Sequence, residues 1–110
     1  MKKGEIWIVD LPVTHGHEQQ GTRPVVIVAE LEANIAMVIP CTTAARALRF
    51  PHVIELKPTT ENGLSEYSVA LVFQLRALDK SRLLKKIGLI DEHFLSRIDV
   101  MLREMLHLGS

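Results

Sequence analysis

A chain of 110 residues has room for one domain with one core and not for two, so residues 1–110 are expected to form a single unit. With 47% hydrophobic and 24% charged residues it has the ordinary globular balance, which excludes the disordered, collagen-like and disulfide-built classes. Its 13 basic and 13 acidic side chains cancel, so any nucleic-acid partner would have to be held by a local patch rather than by the field of the whole molecule.

Met1 to Gly4 lead into a β-rich run, Ile6, Trp7, Ile8 and Val9, and Glu5 to Leu11 reads as a first strand rather than as an apolar leader. Pro12 to Thr22 carries Gly, His, Gln and Thr without apolar periodicity, the pattern of a long polar loop. Pro24 holds Arg23 extended, and Val25, Val26, Ile27 and Val28 form a continuous β-branched run expected to be buried on both faces. Leu31 to Asn34 is a short reversal before Ile35 to Ile39, so strands two and three should form a hairpin, with Pro40 ending the third. A fourth strand is expected over His52 to Leu56, and a long fifth one over Tyr67 to Leu75, with Pro58, Asn62 and Gly63 in the loop between them. Strands this dense in so short a chain argue for a small closed or nearly closed barrel. "DKSRLLKK", Asp79 to Lys86, is a mixed charge run that reads as a solvated hairpin.

The period then changes. Phe94, Ile98, Met101 and Met105 recur with Leu95, Leu102 and Leu106 at helical spacing, behind Asp91 and Glu92 at the capping end. A terminal amphipathic helix is expected. Cys41 is the single cysteine, and no apolar run approaches the roughly 20 residues of a membrane span, so a reduced, cytoplasmic protein without a membrane partner is anticipated.

His15-Gly16-His17 resembles a metal clip, but a zinc site needs three or four converging ligands and no Cys pair or helical His pair accompanies it. Solvated loop histidines are the favoured reading, and no metal or other cofactor is expected. Arg23 offers a planar fork of donors suited to phosphate oxygens, and its place at the start of a rigid strand would keep that fork aimed. Thr42 could add a hydroxyl hydrogen bond to the same phosphate. The plainer alternatives are an Arg23–Glu18 surface ion pair and a turn-capping Thr42, and spacing alone favours these. Gln74 and Arg76, two apart on a strand, would share a polar face opposite Phe73 and Leu75.

Taken together, "GEIWIVDLP", "GHEQQGTRPVVIV", "PCTT", "FPHVIEL" and "SVALVFQLRALDKSRL" in this order resemble the MazF/PemK family of toxins, messenger-RNA interferases of toxin–antitoxin pairs. The resemblance covers nearly the whole chain. It implies a mainly β fold with one helix, an SH3-like small barrel, assembled as a homodimer that cuts single-stranded RNA without a metal ion. It implies 2′,3′-cyclic phosphate and 5′-hydroxyl ends. The family's catalytic arginine falls on Arg23 in "GTRP" and its catalytic threonine on Thr42, with Thr43 one residue away. Glu18 matches the family's loop glutamate, with Gln19 beside it, and Gln74 and Arg76 match a polar pair on a late strand; these residues and Thr43 are candidate substrate contacts. The implied partner is a MazE-like antitoxin with a disordered C-terminal segment, for which His15, His17, Arg23, Arg46 and Arg49 would supply a basic patch. The alternative class is a non-catalytic binding module of the same fold, either a degenerate member or a gyrase-poisoning toxin resembling CcdB.

Overall fold

The computed structural model describes residues 1–12 and 21–109. Seven strands and one helix follow in the order β1 (Glu5–Leu11), β2 (Gly21–Leu31), β3 (Ile35–Thr42), β4 (Val53–Leu56), β5 (Ser68–Leu71), β6 (Arg76–Asp79), β7 (Leu83–Leu89) and α1 (Glu92–Met105). Short 3-10 turns occupy Ala45–Arg49, Val72–Gln74 and Lys80–Arg82. The strands pair antiparallel along the path β4-β5-β3-β2-β1-β7, with β6 beside the first half of β3.

β2 and β3 form the expected hairpin, whose tip places Ala33 and Asn34 at φ of 60° and 62°. Asparagine suits that left-handed conformation; alanine adopts it at a cost that the ladder on either side offsets. The apolar run of β2 is buried on both faces. Val25 and Ile27 enter one cluster with Val9, Leu11, Ala36 and Val38, while Val26 enters the other with Ile6, Ile39, Cys41, Ile54 and Ile98. Helix α1 covers the second cluster with Phe94, Leu95, Ile98, Met101, Leu102 and Met105. Its capping end is as the sequence implies, for the Asp91 carboxylate accepts from the His93 N–H at 2.7 Å and Glu92 lies in the first turn.

Four expectations are corrected. The polar loop ends earlier, because Gly21 and Thr22 already pair with Leu11 and Asp10 of β1. Pro40 does not end the third strand, which runs on to Thr42. It falls between the last β6 pair, at Val38, and the first β5 pair, at Cys41, where one edge of β3 carries no paired strand and proline is tolerated. The expected strand from Tyr67 to Leu75 is instead β5, a 3-10 turn and β6. Both strands use the same edge of β3, and the register between them slips by three residues, the length of the turn Val72–Gln74. Lastly, Asp79 to Lys86 is no hairpin: β6 pairs with β3, β7 pairs with β1, and Asp79 caps the intervening turn by accepting from the Ser81 N–H at 2.8 Å.

Among the described residues the pairing path is open, with β4 and β7 at its ends. The loop after β4 reaches across, and the Leu89 N–H donates to the Glu61 carbonyl at 2.8 Å. Asn62 organises that loop: its Oδ1 accepts from the Thr59 and Leu64 N–H groups, both at 3.0 Å, and its Nδ2 donates to the Lys57 carbonyl at 2.9 Å. The loop lies so close to β7 that a Cβ on Gly63, at φ +68°, would stand 1.9 Å from the Ile87 carbonyl oxygen.

At the start of β1, Glu5 is 5% exposed and accepts from Trp7 Nε1 at 2.9 Å, with Lys86 Nζ 3.3 Å away. Burial pushes its carboxyl up, but the hydrogen bonds from Trp7 and Lys86 outweigh this and hold it below the ordinary carboxylate range.

Two outcomes follow from this packing. Gly63→Ala should lose about 2 kcal/mol or more of stability, because both the backbone conformation and the contact with Ile87 forbid the methyl group; thermal melts check it. A depressed carboxyl contributes stability above its unfolded-state value that is lost as pH falls through its folded value. Glu5→Gln should therefore melt below the parent at pH 7, with the gap closing in a melting series as pH falls through and below the ordinary carboxylate range.

Candidate active site

Strand alternation decides which polar groups meet. Val25 and Ile27 of β2 and Ala36 and Val38 of β3 face one cluster, so Arg23 and Thr42, in step with them, belong to that face. Extending the Val25–Pro40 register by two residues sets Arg23 opposite Thr42. Both border a cavity of about 710 Å³ that is also lined by Ala44, Arg46, Ala47, Arg49, Phe50, Leu71, Phe73 and Gln74.

Thr42 is buried, and its Oγ1 accepts from the Ala44 N–H at 3.2 Å. The turn-capping role weighed from the sequence is thus present, and it orients the hydroxyl while leaving its proton to donate. The 3-10 turn that follows is seated by Ala47, packed with Val69, Leu71 and Val53, which carries Arg46 and Arg49 to the cavity wall. Phe50 comes next, its N–H bonded to the Ala47 carbonyl at 3.2 Å. From the other side, the turn between β5 and β6 brings Phe73 and Gln74.

Among the described residues no carboxylate lines this cavity, whereas Arg23, Arg46 and Arg49 do. On a chain of zero net charge that is the local concentration of positive potential an anionic ligand needs. A larger cavity of about 1000 Å³ lies between the loop after β4 and the start of α1, lined by Glu55, Glu61, Asp91 and Glu92 beside Lys57 and Arg97. Size favours it, but its carboxylates would repel phosphate, so charge selects the smaller one.

Arg23, Thr42 and Gln74 are therefore brought together. Thr43 points to the other side and lines an adjoining depression of about 380 Å³, which Arg23 also borders. Arg76 lies with Phe73, Gln74 and Leu75 around a shallow hollow of about 280 Å³. The expectation that Gln74 and Arg76 share one strand face is corrected: Gln74 ends the 3-10 turn and Arg76 begins β6. Phe73, expected on an apolar face, is instead 39% exposed. Glu18, Gln19, His15 and His17 lie outside the described residues, as does the Arg23–Glu18 pairing. Among the described residues no three or more His, Cys, Asp or Glu side chains converge as a metal site would require.

Cys41, next to Thr42, is fully buried, and burial pushes its thiol up to about 12. It is therefore not a nucleophile. Phe50, which the sequence did not single out, also lines the cavity. Its signal was the dipeptide Arg49-Phe50 before Pro51, but only the β4–β5 pairing brings it to Phe73.

An antiparallel sheet backed by one terminal helix, with an arginine and a threonine on adjacent strand ends above a cavity whose described lining holds no acid, defines a small mainly β protein. Over residues 2–106 the chain matches the family of PemK-like, MazF-like toxins of type II toxin–antitoxin systems, and it belongs to that family. It is 33% identical to the endoribonuclease MazF9 of Mycobacterium tuberculosis, across 100% of this chain and 99% of that one. It is 30% identical to the endoribonuclease EndoA of Bacillus subtilis, across 98% and 96%. Among solved structures it resembles MazF from Deinococcus radiodurans with a TM-score of 0.81, at 22% identity over 98% of this chain and 97% of that one. The same organism's MazE–MazF complex aligns with a TM-score of 0.74, again at 22% identity, over 99% and 97%. At that identity the structural likeness carries the fold alone.

Proposed function

We propose that this chain is an endoribonuclease toxin that cuts single-stranded RNA, chiefly messenger RNA, at short sequences without a metal ion. The observation that carries the reading is the placement of Arg23 and Thr42 on one face of β2 and β3, above a cavity whose described lining holds three arginines and no acid. The names of the relatives, endoribonucleases matched over nearly the full chain, support it.

In this reading the substrate's own 2′-hydroxyl attacks the neighbouring phosphorus. The new O–P bond closes a 2′,3′-cyclic phosphate as the bond to the 5′-oxygen breaks. The 2′-hydroxyl releases one proton and the departing 5′-oxygen gains one, so the step has no net proton demand. Arg23 stabilises the extra charge on the phosphoryl oxygens, and its fixed fork makes this stronger in the transition state than in the ground state. Thr42, held by the Ala44 N–H, donates its hydroxyl to a phosphoryl oxygen and orients the group. Gln74 at the cavity wall, Arg76 beyond it, Thr43 in the adjoining depression and the loop residues Glu18 and Gln19 contact the flanking strand.

The sheet is the open form of an SH3-like small barrel whose remaining gap the loop after β4 bridges, a reading supported by the Leu89–Glu61 hydrogen bond. A cognate MazE-like antitoxin, laying an acidic disordered segment over the basic cavity, would block it; the solved MazE–MazF complexes of related fold support such a partner. The protein acts as a cytoplasmic homodimer, for which Val100, Leu106 and Leu108 leave exposed apolar surface at the C-terminal end.

Purified protein should cut a long single-stranded RNA at discrete positions in excess EDTA. Arg23→Ala and Thr42→Ala should each lower the cleavage rate by about 100-fold or more with little change in melting temperature. Intact RNA would move the chain to the non-catalytic, gyrase-poisoning class, and an equal loss of stability in Arg23→Ala would make its role structural. Sedimentation across a concentration series should show a species of twice the chain mass; monomer throughout would remove the dimer.

A further inference from the structure

Phe50 and Phe73 are two of the chain's three phenylalanines, and a phenylalanine gains by burial. Yet they stand 42% and 39% exposed beside one another at the wall of the arginine-lined cavity. Their centroids are 5.5 Å apart and the rings are tilted by 53°, a contact that does not close them into a stacked pair. The Arg49 guanidinium lies 5.4 Å from the Phe50 centroid, and Arg46 lines the same wall.

This wall intersperses flat apolar rings with cations. A single nucleic-acid strand does the complementary thing, alternating flat bases with anionic phosphates, and in a duplex those base faces are already covered. We propose that Phe50 and Phe73 are a stacking platform for a base flanking the scissile phosphate of single-stranded RNA, with Arg46 and Arg49 holding the neighbouring phosphates. The proposal rests on the ribonuclease reading of the same cavity. Arg49 has two favourable positions, over the Phe50 ring and on a phosphate, so an incoming base can take its place on the ring as it moves to the backbone. Stacking is tolerant of base identity, so the platform sets affinity and the register of the strand over Arg23 and Thr42, not the sequence that is cut.

The test uses fluorescent single-stranded 2′-O-methyl RNA, which has no free 2′-hydroxyl and is not cleaved, so binding is read apart from catalysis by anisotropy. Phe50→Leu and Phe73→Leu keep apolar bulk without a ring and should each weaken binding about 10-fold, while Phe50→Tyr and Phe73→Tyr stay within about twofold of the parent. Arg49→Ala should weaken binding and flatten its salt dependence by roughly one released ion. On cleavable RNA the Leu variants should cut at the parent's positions with a raised KM. Leucine variants that bind like the parent, or tyrosine variants as weak as the leucine ones, would each overturn the platform. Absence of cleavage by the parent with ring-dependent binding intact would instead overturn the ribonuclease reading and leave the platform standing.

Discussion

β3 has a single edge for two short strands, and much of the molecule is arranged around that fact. β6 takes the first half and β5 the second, and the two registers differ by three residues. A continuous strand cannot satisfy both ladders, so the chain spends those three residues in the turn Val72–Gln74. The slip creates the unpaired point at which Pro40 sits inside a strand. It also pushes Phe73 and Gln74 out of the sheet toward the end of β3, where Thr42 faces the side shared by Arg23.

Charge does the remaining selection. A neutral chain has no long-range preference for an anion, so recognition must come from how charges are distributed. The arginines of the turn Ala45–Arg49 and Arg23 gather at one cavity, and the carboxylates of the β4 loop and the α1 N-terminus gather at another. Asp91 and Glu92 at the α1 N-terminus also favour the helix dipole, so one arrangement stabilises the fold and keeps those carboxylates away from the arginine-lined cavity. The buried thiol of Cys41 beside Thr42 adds packing and no chemistry.

Several features needed only nearest neighbours along the chain. The β-branched run Val25 to Val28, the Asp91 cap and the helical spacing from Phe94 to Met105 are local patterns, and the structure bears each out. The Arg23-Pro24 seam is equally local, since proline restrains the residue before it whatever the rest of the fold does. β7 was not legible. Its sequence, Leu-Leu-Lys-Lys-Ile-Gly-Leu, lacks alternation because its pairing with β1 is broken by register shifts and its outer side meets the loop at Glu61.

The sequence by itself determined the first three strands and the terminal helix, where the apolar period is unbroken, and it placed an arginine at the head of a rigid strand. Only the tertiary structure decided that Thr42 rather than Thr43 shares the cavity with Gln74, that Gln74 and Arg76 leave a common face, and that Phe50 meets Phe73. The physical reason is that side-chain period is a property of consecutive residues, whereas register is set by hydrogen bonds between distant ones. A slip of three residues on one edge of β3 moves each side chain beyond it to a new neighbour and leaves no trace in composition or spacing.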